Sequence, residues 1–218
     1  MAAAPVKRSN PAAALKSYRL PVMNIQLSGV TLDQINAGTK DIKYEGNSVS
    51  IAGSGIDFIA DNVTIKGHGN SSWKDKKKPY QIKFDNKESL FGMPAAKKYL
   101  LIANYRDGSL LRNAICYDLA ENLGIAPSSY QFIDLYVNKA YIGNYMLIQK
   151  VECGKNSVNL QDPTGIIAEV DIHPDVDDVT FRSSYSNALI SLKDYKDDYQ
   201  TGIQYFLTDF QKAEQYAK

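Results

Sequence analysis

The sequence predicts an α+β fold in which an antiparallel sheet carries one long helix and a shorter second region follows. Three observations predict it. Short apolar runs alternating with polar residues, punctuated by Gly, Asn and Asp, fill residues 20–105 and 130–151. One stretch, "RDGSLLRNAICYDLAENLG", has helical rather than strand periodicity. A polar connector, "ECGKNSVNLQDPTG", then separates this part from a new set of strands and a helix.

In order, residues 1–19 read as a flexible lead-in, with no apolar core of signal-peptide length. "LPVMNIQL" alternates as a strand. "TLDQINAGTK" is a helical turn with Thr31 as cap and Gly38 as stop. "DIKYEGNSVSIAGSGIDFIADNVTIKG" is a meander of short strands, and "YQIKF" completes a hairpin with its last one. "KYLLIANY" is a buried strand or buried extended segment. In the long helix Leu111, Ile115, Leu119 and Leu123 form one apolar stripe, Asp107 or Ser109 caps the start, and Gly124 stops it. "YQFIDLYVNKAYIGNYMLIQKV" is a hairpin whose Asn138 and Gly143 suit a turn or bulge. "IIAEVDIH" is a strand, "DVDDVTFRSSYSNALISLKD" a loop and strand pair, and Asp198 to Ala217 an amphipathic helix with Ile203, Phe206, Leu207 and Phe210 on one side. The expected divisions are 1–19, 20–152 and 153–218.

The composition is that of a globular protein, 44% apolar and 22% charged. A net charge of +1 provides no global field for nucleic acid or a membrane surface, and no apolar run reaches the roughly 20 residues of a membrane span. Fifteen tyrosines suggest many half-buried amphipathic positions. Cys116 and Cys153 form no CxxC pair, which argues against zinc. Cys116, on the apolar side of the helix, reads as a core residue, with a disulfide to Cys153 left open.

The candidate chemistry lies in "IKGHGNSSWKDKKKPYQIKF". Gly67 and Gly69 let backbone N–H groups approach a ligand, and Asn70, Ser71 and Ser72 add hydrogen-bonding side chains. Lys74, Lys76, Lys77 and Lys78 add charge, and Lys83 sits on the returning strand, sixteen positions after Gly67. A glycine loop between two strands with a lysine on the next strand is how protein kinases cover and pair nucleotide phosphates. A solvated basic loop is the competing reading. On the helix, Arg112 falls within the apolar arc and Asp118 flanks it, while Glu121 points away. These charges make either a structural salt bridge or a carboxylate that holds Lys83. His68 and His173 read as surface residues. "EVDIHPDVDD" is dense in carboxylates, but its spacing is not that of an EF-hand, and a solvated acidic turn is expected.

Taken together, "IKGHGNSSW", "KKPYQIKF", "LFGMPAAKKYLLIANYRDGSLLRNAICYDLAENLG", "FIDLYVNKAYIGNYMLIQKV" and "NSVNL" resemble the CotH family of spore-coat-type atypical protein kinases and their bacterial surface relatives. The resemblance implies a kinase-like smaller lobe, antiparallel sheet plus one long helix, followed by an incomplete second lobe. It implies ATP with Mg²⁺ or Mn²⁺, and transfer to serines of secreted or coat proteins, at an extracellular, cell-surface or spore-coat location. The implied nucleotide-binding residues are Gly67, Gly69, Asn70, Ser71, Ser72, Lys78, Lys83, Arg112 and Asp118, with Lys83 the phosphate-pairing lysine. The family's Asn-x-Asp and Trp-Asp-Phe-Asp segments have no counterpart here, since the single tryptophan is Trp73. No catalytic base or metal ligand is therefore assigned, and a truncated or inactive kinase is expected. The alternatives are a non-catalytic carbohydrate- or protein-binding surface module, and a nucleic-acid binder built on "KDKKK" and Trp73.

Overall fold

The computed structural model describes residues 20–125, 129–174 and 178–217. The expected lead-in at 1–19 and part of the acidic turn, residues 175–177, lie outside them. The chain divides into two compact units, one ending at Lys150 and the other beginning at Val151.

Seven strands build the first unit: β1 Val22–Gln26, β2 Tyr44–Gly53, β3 Ile56–Gly67, β4 Tyr80–Glu88, β5 Ala96–Ile102, β6 Tyr130–Val137 and β7 Ala140–Gln149. Their order is β1-β2-β3-β4-β5-β7-β6, and β6 returns to pair with β1, closing the sheet into a barrel. That closing pair is parallel, Val22 opposite Asp134 and Ile25 opposite Val137. The other neighbours run antiparallel.

The expected kinase-like lobe, an antiparallel sheet with one long helix, is therefore corrected to a closed, mostly β barrel with a few short helices. The physical reason is that alternation specifies strands and their inward faces, whereas closure depends on which strands pair. The parallel β1–β6 contact joins segments more than a hundred residues apart and leaves no local trace.

Alternation does set what fills the barrel. Ile25, Ile51, Ile65, Ile82, Leu101 and Leu135 are fully buried, as an interior packed by side chains requires. Tyr80, Tyr99 and Tyr145 are also buried, and their hydroxyls donate to Asn36 Oδ1, the Glu88 carbonyl and the Lys78 carbonyl. The rings thus serve the core while each hydroxyl keeps a partner.

Helix α1, Leu32–Ala37, starts with a capping box between Thr31 and Gln34. The β6–β7 hairpin turns at Asn138 and Lys139, both with positive φ, and a bulge follows beside Gly143.

Helix α2, Arg112–Asn122, lies outside the barrel and contradicts the expected packing of its stripe. Leu111, Ile115, Leu119 and Leu123 are 48%, 59%, 56% and 66% exposed, and Cys116 is exposed as well. The helix meets the barrel through Ala114 and Tyr117. Tyr117 packs beside the outer-wall cluster of Leu100, Met146 and Ile148 and against the Tyr130 ring. Periodicity identified an apolar face without identifying what that face meets. Cys116 and Cys153 are both free.

In the second unit β8 Ile166–Val170, β9 Thr180–Arg182 and β10 Leu189–Tyr195 form an antiparallel sheet ordered β8-β10-β9, and α3 spans Tyr199–Tyr216. Ile203, Phe206, Leu207 and Phe210 are half-buried on one side of α3, as its periodicity predicts. No helix among the described residues is long and apolar enough to cross a membrane.

Candidate functional site

A cavity of about 400 Å³ opens at one end of the barrel. That volume lies in the range of small-molecule sites. One wall is the loop joining β3 to β4, and the other is the segment from the end of β5 into α2.

The first wall is stiffened by its own sequence. After the last β3–β4 pair, Gly67 with Tyr80, the His68 N–H donates to the Pro79 carbonyl and prolongs the ladder. Gly67 must be glycine because a Cβ there would lie 2.6 Å from the Lys40 Cα and 2.8 Å from the Trp73 ring. Trp73, in the 3-10 turn Ser71–Lys74, donates from Nε1 to the Gly38 carbonyl at 3.2 Å. Lys78 holds its ammonium 4.7 Å over the same ring and donates to the Trp73 carbonyl. Both groups are thus occupied in anchoring the loop.

Lys77 is the cation of this loop that reaches into the structure. Its ammonium donates to the Ala103 carbonyl at 2.8 Å and to the Asn144 carbonyl, and lies 4.5 Å over the Tyr145 ring. Gly143, in the β7 bulge with φ +129°, makes room for it, since a Cβ there would stand 2.9 Å from the Lys77 Cε. An ammonium has three N–H donors, so one remains beyond the two carbonyl bonds. Burial pushes the Lys77 ammonium below the usual lysine range.

The second wall carries a dense polar turn. Asp107 accepts from the Ser109 N–H and hydroxyl and from the Arg112 N–H, which caps α2 and holds the Asp107 carboxyl below the usual carboxylate range. Asn104 accepts from Asn113 Nδ2 and donates to the Leu110 carbonyl. Asn104 and Leu110 both have positive φ, 50° and 61°. For leucine that conformation is a strained one, held by the surrounding bonds.

Of the residues marked by sequence, Gly69, Ser71, Ser72 and Arg112 line the cavity. Gly67, Asn70, Lys78, Lys83 and Asp118 do not. Lys83 is exposed on β4 between inward-facing Ile82 and Phe84, opposite Thr64 and Lys98 on the outer wall. Asp118 is exposed and accepts from the Tyr130 hydroxyl at 2.9 Å. Sequence reasoning did not single out Lys77 among the loop lysines. It missed Asp75, Arg106, Asp107 and Asn113 as site residues, and set His68 aside as a surface residue. The available signal was the density of polar side chains in "NYRDGSLLRN" between an apolar strand and a helix.

His68 lines the cavity, and burial, with Lys150, Lys66 and Lys40 nearby, pushes its pKa down to about 4. It is therefore neutral at pH 7. Because the unfolded state binds a proton that the folded state refuses, stability is expected to fall as pH drops from 6.5 toward 4. The slope is about 1.4 kcal/mol per pH unit at most. Denaturant titrations of the wild type and His68→Asn across pH 4–7 check this, and the variant is expected to lose most of the slope.

The donor set does not fit a divalent cation held by protein alone. No cluster of three metal-ligating side chains exists among the described residues. Of the cavity carboxylates, Asp75 is held by Arg106, and Asp107 is spent on the helix cap.

A family model described as CotH kinase protein matches residues 65–217, from within β3 through α3. No curated protein matches the chain.

Proposed function

The chain belongs to the CotH kinase family, and on that premise we propose that its barrel unit receives the phosphate tail of a nucleoside triphosphate in the cavity between the two walls. The observation that carries the reading is the set of donors converging there. Lys77, Arg106 and Arg112 bring three cations against two engaged carboxylates, and the first turn of α2 lies beside them. The dipole of a helix start favours anions, here beside the Arg112 N–H that Asp107 already takes, and guanidinium groups match phosphate geometry. Gly69, with φ +76°, and Ser71 and Ser72 lie on the opposite wall.

In this reading the role that sequence assigned to Lys83 passes to Lys77. Neutral His68 supplies a hydrogen-bonding edge without adding charge. Arg112 lies 3.6 Å from Asp107, so its charge is only loosely shared. These groups bind and orient the phosphate tail. The proposed acceptors are serine hydroxyls of secreted or coat proteins, which would place the protein outside the cell or in a coat layer. ATP with Mg²⁺ or Mn²⁺ is the proposed donor, with the metal carried by the nucleotide. Calorimetric titration of the full chain with a non-hydrolysable ATP analogue and Mg²⁺ tests the reading. Saturable binding at one site is expected, and a flat titration by folded protein would refute it.

A further inference from the structure

We propose that Arg106 latches the two walls of the cavity together, and that an entering polyphosphate opens the latch by taking the guanidinium from Asp75. The inference rests on the reading of the cavity as a polyphosphate site. It adds that the free protein holds one of its phosphate-binding cations in check.

The geometry points to competition for a single group. Arg106 Nε donates to both oxygens of Asp75, at 3.0 and 2.9 Å, and Nη2 donates to Oδ1 at 2.9 Å. Nη2 also reaches the Ser71 carbonyl at 3.1 Å. One guanidinium therefore clasps both ends of the segment Ser71–Asp75 from the opposite wall. Arg106 is 62% exposed, while the Asp75 side chain is only 12% exposed. The arginine is free to swing, and the carboxylate stays where the loop puts it.

The other cations of the cavity are not held this way. Lys77 gives its hydrogen bonds to neutral backbone carbonyls, and Arg112 stands 3.6 Å from a carboxylate already capping a helix. Asp75 is thus the group whose negative charge both repels a phosphate and occupies its best partner. A guanidinium binds either anion through the same planar fork, and a polyphosphate presents more charge than one carboxylate. Exchange of one partner for the other releases the Ser71–Asp75 segment from the far wall without breaking its anchors at Trp73 and Lys78.

The test is titration of inorganic tripolyphosphate into the full-length wild type, Asp75→Asn, Arg106→Ala and Arg106→Lys, with folding of each confirmed by circular dichroism. Asp75→Asn is expected to bind roughly three- to tenfold more tightly than wild type, because it removes both the competitor and the repulsion. Arg106→Ala is expected to bind several-fold more weakly, and Arg106→Lys to recover only part of that loss for want of the fork. In the unliganded protein, hydrogen exchange at residues 71–75 is expected to rise in both Asp75→Asn and Arg106→Ala. If the wild type binds but Asp75→Asn and Arg106→Ala bind equally well, the pair is a static rim contact, and the latch is overturned while the cavity reading stands. If none of the four proteins binds, the cavity reading fails and the latch fails with it.

Discussion

Replacing Lys77 by methionine is expected to weaken binding of an ATP analogue by roughly ten- to hundredfold, the worth of one charge-assisted hydrogen bond. Lys83→Met is expected to change it by less than about twofold, because an exposed outer-wall cation acts only through screened charge. The contrast follows from position. Lys77 lines the cavity with its ammonium fixed by two carbonyls and an aromatic face. Lys83 projects outward beside Lys98. The Lys77 change also leaves the Ala103 and Asn144 carbonyls without that donor, so a stability loss of about 1–3 kcal/mol is expected. Methionine keeps most of the packing beneath Tyr145, which separates the lost charge from a lost volume. Calorimetric titration of both variants, with thermal melts alongside, checks affinity and stability together.

The second large effect concerns a glycine in a helix. Gly202→Ala in the middle of a solvated helix would stabilise by about 1 kcal/mol. Here the opposite is expected. An ideal Cβ at Gly202 would stand 2.0 Å from the Thr164 carbonyl oxygen and 2.9 Å from the Ile166 Cγ2. A backbone oxygen cannot rotate away, so α3 must shift off the strand it packs against, breaking the seating of Phe206 beside Phe181. A net loss of roughly 2–3 kcal/mol is expected, from overpacking that outweighs propensity. Gly108, with ordinary backbone and open space around it, is the control, and Ala there is expected to leave stability within about 0.5 kcal/mol. Denaturant melts and hydrogen exchange in residues 199–216 distinguish the two variants.

What could be read from the sequence was what neighbouring residues decide. Thr31 spells a helix start, and it caps α1, with Gln34 completing the box in the structure. Asn138 and Gly143 spell a turn and a bulge, and both occur. The glycine hairpin pairs Gly67 with Tyr80. Closure by β1 and β6 was not legible, because it joins Val22 to Asp134, more than a hundred residues apart along the chain. The direction of the α2 stripe was not legible either. The helix uses Ala114 and Tyr117 to meet the wall, and a small residue and a tyrosine carry little weight in an apolar periodicity.

The site followed the same division. The glycine–serine loop was visible as a cluster along the chain, and part of it lines the cavity. The inward turn of Lys77 was not, since Lys74, Lys76, Lys77 and Lys78 stand together in that loop. Only the fold decides which one turns inward. Strand alternation puts Lys83 on the outer face, because Tyr80, Ile82 and Phe84 take the inward positions of β4. The partner wall, Arg106 to Asn113, lies thirty residues further on, so Asp75 and Arg106 meet only in three dimensions.

The most direct measurement is amide chemical-shift mapping of the full chain during titration with a non-hydrolysable ATP analogue and Mg²⁺. Shifts concentrated at residues 68–77 and 102–113, with Thr64, Lys83 and Lys98 unmoved, are the predicted result. Shifts centred on the Thr64–Lys83–Lys98 row of the outer wall, with the cavity residues silent, would contradict the account.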